Sequence, residues 1–318
     1  MRSPTTTDPQ RRELVVAAVG GNALLQPGEP LEAGVQQGNA ALASASLARI
    51  ASGRDLVVTH GNGPQVGLLA LQAAAYAKVK PYPLDVLDAE SEGMIGYLLE
   101  EGLENALLGR PVAALLTQIV VDATDPAFSH PTKPIGPFYG KAEATQVARE
   151  LGWTMAHAGA SYRRVVASPE PREILELPTI RLLLDAGAVV ICAGGGGIPV
   201  IRSNGTVHGV EAVIDKDLAS ALLATQLGAS ALLLLTDVAA VERGWGTTEA
   251  TTIGRTTPQE LRGMHFEQGS MAPKVEAACR FVESTHGRAA IGSLSAAPAL
   301  LAGETGTVVL PARGRRRA

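Results

Sequence analysis

The residues in this chain best suited to chemistry are lysines, carboxylates and glycines, and together they suit the transfer of a phosphoryl group. Four consecutive glycines, Gly194 to Gly197, follow a short apolar run, and Asp215-Lys216-Asp217 then opens a helical pattern. Glycine lacks a Cβ, so its N–H groups can approach an oxyanion closely, and a helix N-terminus adds partial positive charge at the same place. Lys133 lies on a proline-stiffened loop, Thr132-Lys133-Pro134-Ile135-Gly136-Pro137, and Lys274 follows Gly269-Ser270-Met271-Ala272-Pro273. Phosphoryl transfer asks a protein for alignment and charge neutralisation more than for covalent chemistry. Lysines would spread charge off the moving group, with Asp215 holding them in register. No general base stands out, which points to an acceptor that is already an anion, such as a carboxylate. Asn22 after Gly20-Gly21, and Asn62 between Gly61 and Gly63, each offer a donor and an acceptor to a small acceptor of mixed polarity. Singly these signals are weak: a glycine run is also a flexible turn, and Lys133 alone reads more simply as an exposed loop lysine.

Other chemistries lack their residues. Gly136-Pro-Phe-Tyr-Gly140-Lys141-Ala142 has three residues between its glycines where a phosphate-binding P-loop has four, and no Ser or Thr after the Lys. Gly61-Asn-Gly63-Pro-Gln-Val-Gly67 is one residue too long for the dinucleotide fingerprint. None of the six histidines pairs at metal-ligand spacing, and no Gly-x-Ser-x-Gly elbow occurs. Of the net charge of −4, four arginines at 313, 315, 316 and 317 hide a body with 23 basic against 31 acidic residues, or −8. An acidic body argues against a nucleic-acid surface, and the arginine tail reads as a disordered, solubilising end. Cys192 and Cys279 stand in apolar patterns and read as reduced core residues of a cytoplasmic protein. The uncharged stretch 218–235 is split by Gln226 and Gly228 into a helix and a strand, so no membrane span is expected.

What must position these residues is a series of apolar runs that end in glycine or a short polar group. Residues 14–19 open into Gly20-Gly21-Asn22, 55–59 into His60-Gly61-Asn62-Gly63, 188–192 into the four glycines, and 231–235 into Thr236-Asp237. Helical patterns lie between them at 34–50, 66–76, 84–108, 180–186 and 275–284. Strands alternating with helices predict an α/β fold, a three-layer αβα sandwich around a mostly parallel open sheet. In such sheets ligands sit beyond the carboxyl ends of the strands, where strand order reverses. A core of Val, Leu, Ile and Ala, with 3% aromatics, fits this sheet. Residues 112–121 read as one strand. The proline-rich stretch 122–140 reads as irregular, and 122–168 as a protruding lid subdomain. Asn204-Gly205 between apolar alternations predicts a hairpin.

At these positions the sequence resembles the carbamate kinases of the amino acid kinase family. The likeness runs from about Leu14 to Leu310 through Gly20-Gly-Asn-Ala23, His60-Gly-Asn-Gly-Pro-Gln-Val-Gly67, Leu116-Thr-Gln-Ile-Val-Val-Asp122, Pro131-Thr-Lys-Pro-Ile-Gly-Pro-Phe138, Val165-Val-Ala-Ser-Pro169, Gly194-Gly-Gly-Gly-Ile-Pro-Val200, Gly209-Val-Glu-Ala-Val-Ile-Asp-Lys-Asp217 and Gly269-Ser-Met-Ala-Pro-Lys274. The resemblance implies a kinase domain over 13–312, with an acceptor lobe at 13–185 and a nucleotide lobe at 186–312, flanked by tails at 1–12 and 313–318. It implies a cytoplasmic homodimer that transfers a phosphoryl group reversibly between ATP and carbamate, giving ADP and carbamoyl phosphate, with Mg²⁺ carried by the nucleotide. Lys133, Lys216, Asp215 and Lys274 would be catalytic, and Gly20, Gly21, Asn22, Gly61, Asn62 and Gly63 would hold the carbamate side. The nucleotide would meet Gly195, Gly196, Thr236, Asp237, Met271, Pro273 and Lys274. Many family relatives carry a first-strand Lys where this chain has Ala18-Val19, and Lys133 would take its place. Two departures stand out: Ala160, where the family usually has an Arg, and Glu242, where it often has a Tyr near the nucleotide. The alternatives are another carboxylate kinase of the same family and a nucleotide-binding regulator without catalysis.

Overall fold

Along the first strand, Leu14–Val19, residues 16 and 18 face one side and residues 15, 17 and 19 the other, and the strands 55–60, 189–191, 231–236, 288–293 and 307–309 repeat this alternation. The structure, a computed structural model, describes residues 12–26, 28–266 and 270–312. The tails expected at 1–12 and 313–318, apart from Arg12, and Gly269 lie outside the described residues. The main sheet has eight strands, in the order Arg255–Thr256, Thr307–Val309, Arg288–Ser293, Ala231–Thr236, Leu14–Val19, Asp55–His60, Val189–Ile191 and Val112–Ala114. All neighbours run parallel except 288–293 with 307–309. One face packs on the helices Leu177–Asp185, Lys216–Leu227 and Met271–Thr285, the other on Ala33–Ala51, Leu84–Ala106 and Ala297–Ala302. The result is the three-layer αβα sandwich that the strand-helix alternation predicts.

The chain places its second strand on one side of the first and the 231–236 strand on the other, so strand order reverses about residues 14–19. Beside the main sheet lie a four-stranded sheet holding the hairpin Ile198–Ser203 and Thr206–Gly209, and a three-stranded antiparallel sheet. The hairpin turns at Asn204 and Gly205, both with positive φ, as the Asn-Gly signal predicts. The three-stranded sheet, Lys133–Tyr139, Ser161–Val166 and Met155–Ala158 with the helix Lys141–Leu151, occupies the region expected to protrude. Among the described residues no helix is long and apolar enough to cross a membrane.

Two expectations are corrected. Residues 112–121 form two strands: Val112–Ala114 stays in the main sheet, while Gln118–Val120 joins the four-stranded one. The break falls at Thr117, whose N–H donates to the Glu92 carboxylate at 3.1 Å. The stretch 122–140 is not irregular throughout, because Lys133–Tyr139 is a strand despite Pro134 and Pro137. It is an edge strand, paired on one side only, and its register shifts between Ile135 and Tyr139, so the missing proline donors are tolerated.

Candidate active site

Four strand ends converge at the reversal point. Gly20 N–H donates to Leu235 O at 2.8 Å and Gly61 N–H to Val19 O at 2.9 Å, so the turns after three adjacent strands lie side by side. A Cβ on Gly61 would stand 2.8 Å from Gly21 N, which only glycine avoids. Gly20 and Asn62 are the N-caps of helices starting at Gly21 and Gly63, and their N-termini face the convergence with those of the 216–227 and 271–285 helices. After the 189–191 strand the glycines tighten into a 3₁₀ turn, Gly194–Gly196, in which Gly195 and Gly196 take φ of +69° and +107°. A side chain there would be strained and would strike the Asn62 amide or Ile214 O.

The three lysines come together around two aspartates. Asp215 caps the 216–227 helix by accepting from Asp217 N at 2.9 Å and Leu218 N at 3.3 Å, and its other oxygen meets Lys133 Nζ at 2.7 Å. Asp217 bridges the remaining pair, with Lys216 Nζ at 2.7 Å and Lys274 Nζ at 3.1 Å. Lys216 and Asp217 side chains are only 9% and 6% exposed. Burial draws the Lys216 ammonium below its usual range. Burial also opposes charge on Lys274 and Asp217, but attraction wins: Asp217 raises Lys274, and Lys216 with Lys274 holds the Asp217 carboxylate far below its ordinary range. Register-keeping, ascribed to Asp215 alone, is thus shared with Asp217, and the Asp-Lys-Asp spacing was the signal for it.

Thr236 and Asp237 close the group: Thr236 Oγ1 donates to Asp237 Oδ1 at 3.0 Å, and Asn22 Nδ2 to Asp237 Oδ2 at 3.1 Å. Met271 and Pro273 lie in the first turn of the 271–285 helix. Pro273, Lys133 and Asp215 line a cleft of about 1120 Å³ between the lid sheet and this helix. Arg163 lines it too, donating twice to Gly136 O and lying 5.1 Å from the Phe138 ring centroid, so the lid keeps a cation although residue 160 is Ala. Glu242 pairs with Thr252 in a two-stranded ribbon. The three-stranded sheet rests on the 63–75 helix where Gly136, φ +70°, lies against Gly67 so closely that a Cβ on Gly67 would collide with Gly136 Cα.

Beneath these loops runs a buried polar layer that sequence reasoning missed. Asn62 points its amide inward, giving both protons to Asp88 Oδ1 at 3.0 Å and Ser91 Oγ at 2.9 Å. Glu92, one turn on, accepts from Gly194 N at 2.8 Å and Thr117 N at 3.1 Å. Burial pushes the Glu92 carboxyl up to about 8, against the pull of those two donors, and holds His60 down at about 4. The signal was present: Asp88, Ser91 and Glu92 share the buried face of the 84–106 helix with Leu84, Leu87 and Ile95.

The amino acid kinase family profile matches residues 13–293. A carbamate kinase of Rhizobium meliloti (strain 1021) is 54% identical over 299 residues, 93% of this chain and 92% of that one. One of Escherichia coli (strain K12) is 51% identical over 295 residues, 93% and 98% of the two chains. Among solved structures, carbamate kinase from Giardia lamblia bound to AMP-PNP superposes with a TM-score of 0.86 at 39% identity, covering 95% of this chain and 99% of that one.

Proposed function

The chain belongs to the amino acid kinase family, and from that premise we propose that it is a carbamate kinase, moving a phosphoryl group reversibly between ATP and carbamate to give ADP and carbamoyl phosphate. The observation that carries this reading is the meeting of Lys133, Lys216 and Lys274 around Asp215 and Asp217 at the strand ends. In this reading the carbamate oxygen, already anionic, attacks phosphorus as the bond to ADP breaks, and no protein base is needed. The three ammonium groups stabilise the charge on the shifting phosphoryl oxygens. The aspartates keep the lysines charged and in place. The acceptor side belongs to the 20–22 and 61–63 turns and the nucleotide to the half that carries Thr236, Asp237 and the 271–285 helix, with the division of lobes near residue 185. Asn62, with its amide committed inward, shapes its turn and leaves Asn22 as the side-chain donor nearest the acceptor. Mg²⁺ enters with the nucleotide, because Asp215 and Asp217 are already engaged by ammonium groups. The likeness to an AMP-PNP-bound structure supports the nucleotide assignment. Two buried free cysteines fit a cytoplasmic enzyme, and the family implies a homodimer working towards ATP from carbamoyl phosphate breakdown.

The test is ATP formation from ADP and carbamoyl phosphate, read by a coupled assay. Lys133→Ala should lower kcat by about 10²–10³-fold, the scale of losing one charge-stabilising group, with the melting temperature within about 3 °C of wild type. Normal turnover by that variant would remove Lys133 from the mechanism. Phosphorylation of acetylglutamate in preference to carbamate, or tight ATP binding without turnover, would replace the reading with one of its alternatives.

A further inference from the structure

The glycine turns at the strand ends are loops, and loops place atoms accurately only when something rigid holds them. The 84–106 helix supplies that hold. Its buried face presents two carboxylates one turn apart, and each reaches a different loop of the site. Asp88 Oδ1 takes the Asn62 amide of the 61–63 turn at 3.0 Å. Glu92 divides its two oxygens between Gly194 N–H at 2.8 Å and Thr117 N–H at 3.1 Å. Ala193 N–H, next to the glycines, donates to Thr117 Oγ1 at 2.9 Å, so Glu92 and Thr117 together grip the entry of the glycine turn on consecutive amides. No side chain could grow on Gly194 to do this work from within, since a Cβ there would strike His60 and Glu92. Solvent has little access to these contacts: Glu92 and His60 are 3% and 0% exposed, and Thr117 is 0% exposed.

We propose that Glu92 is a positioning residue for phosphoryl transfer, clamping the glycine turn by its backbone and, with Asp88, fixing it at a set distance from the 61–63 turn. The inference rests on the kinase reading above for its catalytic consequence, but not for its structural one. A carboxyl group is required, because both oxygens must accept, and even when burial keeps it protonated its hydroxyl oxygen retains a lone pair that an amide nitrogen lacks. An amide in its place keeps the size and accepts once, but turns an N–H towards a backbone N–H at the other contact.

The variant is therefore Glu92→Gln, set beside Glu100→Gln. Glu100 lies on the same helix and accepts from Ala114 N–H at 3.2 Å, a like contact away from the glycines. Three quantities are measured on the full chain: kcat for ATP formation, KM for ADP, and amide hydrogen exchange of the peptide spanning 190–197. Glu92→Gln should lose about 10- to 100-fold in kcat, as a displacement of about 1 Å does, while KM for ADP moves less than about threefold, because Thr236, Asp237, Met271, Pro273 and Lys274 keep most of the nucleotide's contacts even as Gly195 and Gly196 shift. Exchange at 193–197 should quicken at least about tenfold, and Glu100→Gln should match wild type in all three. A kcat within about twofold of wild type, equal losses in the two variants, or unchanged exchange at 193–197 would overturn the proposal. If wild-type protein made no ATP at all, the kinase reading would fall, and the exchange comparison would still decide whether Glu92 holds the turn.

Discussion

Asp217→Asn isolates the electrostatics of the site. Among the described residues, Asp217 is the one carboxylate shared by two largely buried ammonium groups, at 2.7 Å and 3.1 Å. Asparagine keeps its shape and removes its charge, leaving Lys216 and Lys274 close together in a pocket where burial already pulls the Lys216 ammonium below its usual range. Breaking a buried ion pair by removing one partner costs about 3–5 kcal/mol, most of it the penalty of stranding the other charge. For a chain of 318 residues, at about 2–3 °C per kcal/mol, the melting temperature should fall by roughly 6–15 °C. Phosphate or ADP should restore part of the loss, because each brings negative charge to the same ammonium groups. The assay is thermal unfolding followed by circular dichroism, with and without millimolar phosphate. A melting point within about 2 °C of wild type, with no gain from phosphate, would refute the claim that Asp217 neutralises both lysines.

Three further outcomes follow from the same geometry. Gly67→Ala puts a methyl group into Gly136 of the lid strand, so kcat for ATP formation should drop about tenfold or more while the fold, read by far-ultraviolet circular dichroism, is kept. His60 is buried with its pKa held at about 4 against about 6.5 unfolded, so it favours the fold fully above pH 6.5 and less as pH falls towards 4. His60→Gln should lessen the stability lost between pH 7 and pH 4 by about 3 kcal/mol, measured by urea unfolding at each pH. Gly195→Ala, strained at φ +69° and crowding the Asn62 amide, should lower both melting temperature and kcat, checked by the same two assays.

Much of this was legible because its causes are local. Runs of Val, Leu and Ala that end in glycine can only be buried strands with bare C-terminal turns, and Asn204-Gly205 can hardly be anything but a hairpin turn. The convergence of Lys133 with Asp215 lies 82 residues apart in the chain, and the family motifs carried it rather than any pattern of spacing. What stayed hidden has non-local causes. Residues 112–121 alternate like one strand, and nothing near Thr117 says that a carboxylate on an earlier helix will take its N–H. Pro134 and Pro137 argue against a strand until the sheet reveals it to be an edge. Asp88 and Glu92 fall on the apolar stripe with Leu84, Leu87 and Ile95, which marks them as buried, but nothing local says that the glycine turn is what packs on them.

The most direct test is a crystal structure with ADP and a planar mimic of the phosphoryl group in flight. The account predicts Lys133, Lys216 and Lys274 Nζ all within about 3.2 Å of oxygen or fluorine atoms of the mimic or the adjoining phosphate, with Asp215 and Asp217 behind them. A mimic bound with any one of the three ammonium groups turned away, beyond about 6 Å, would contradict it.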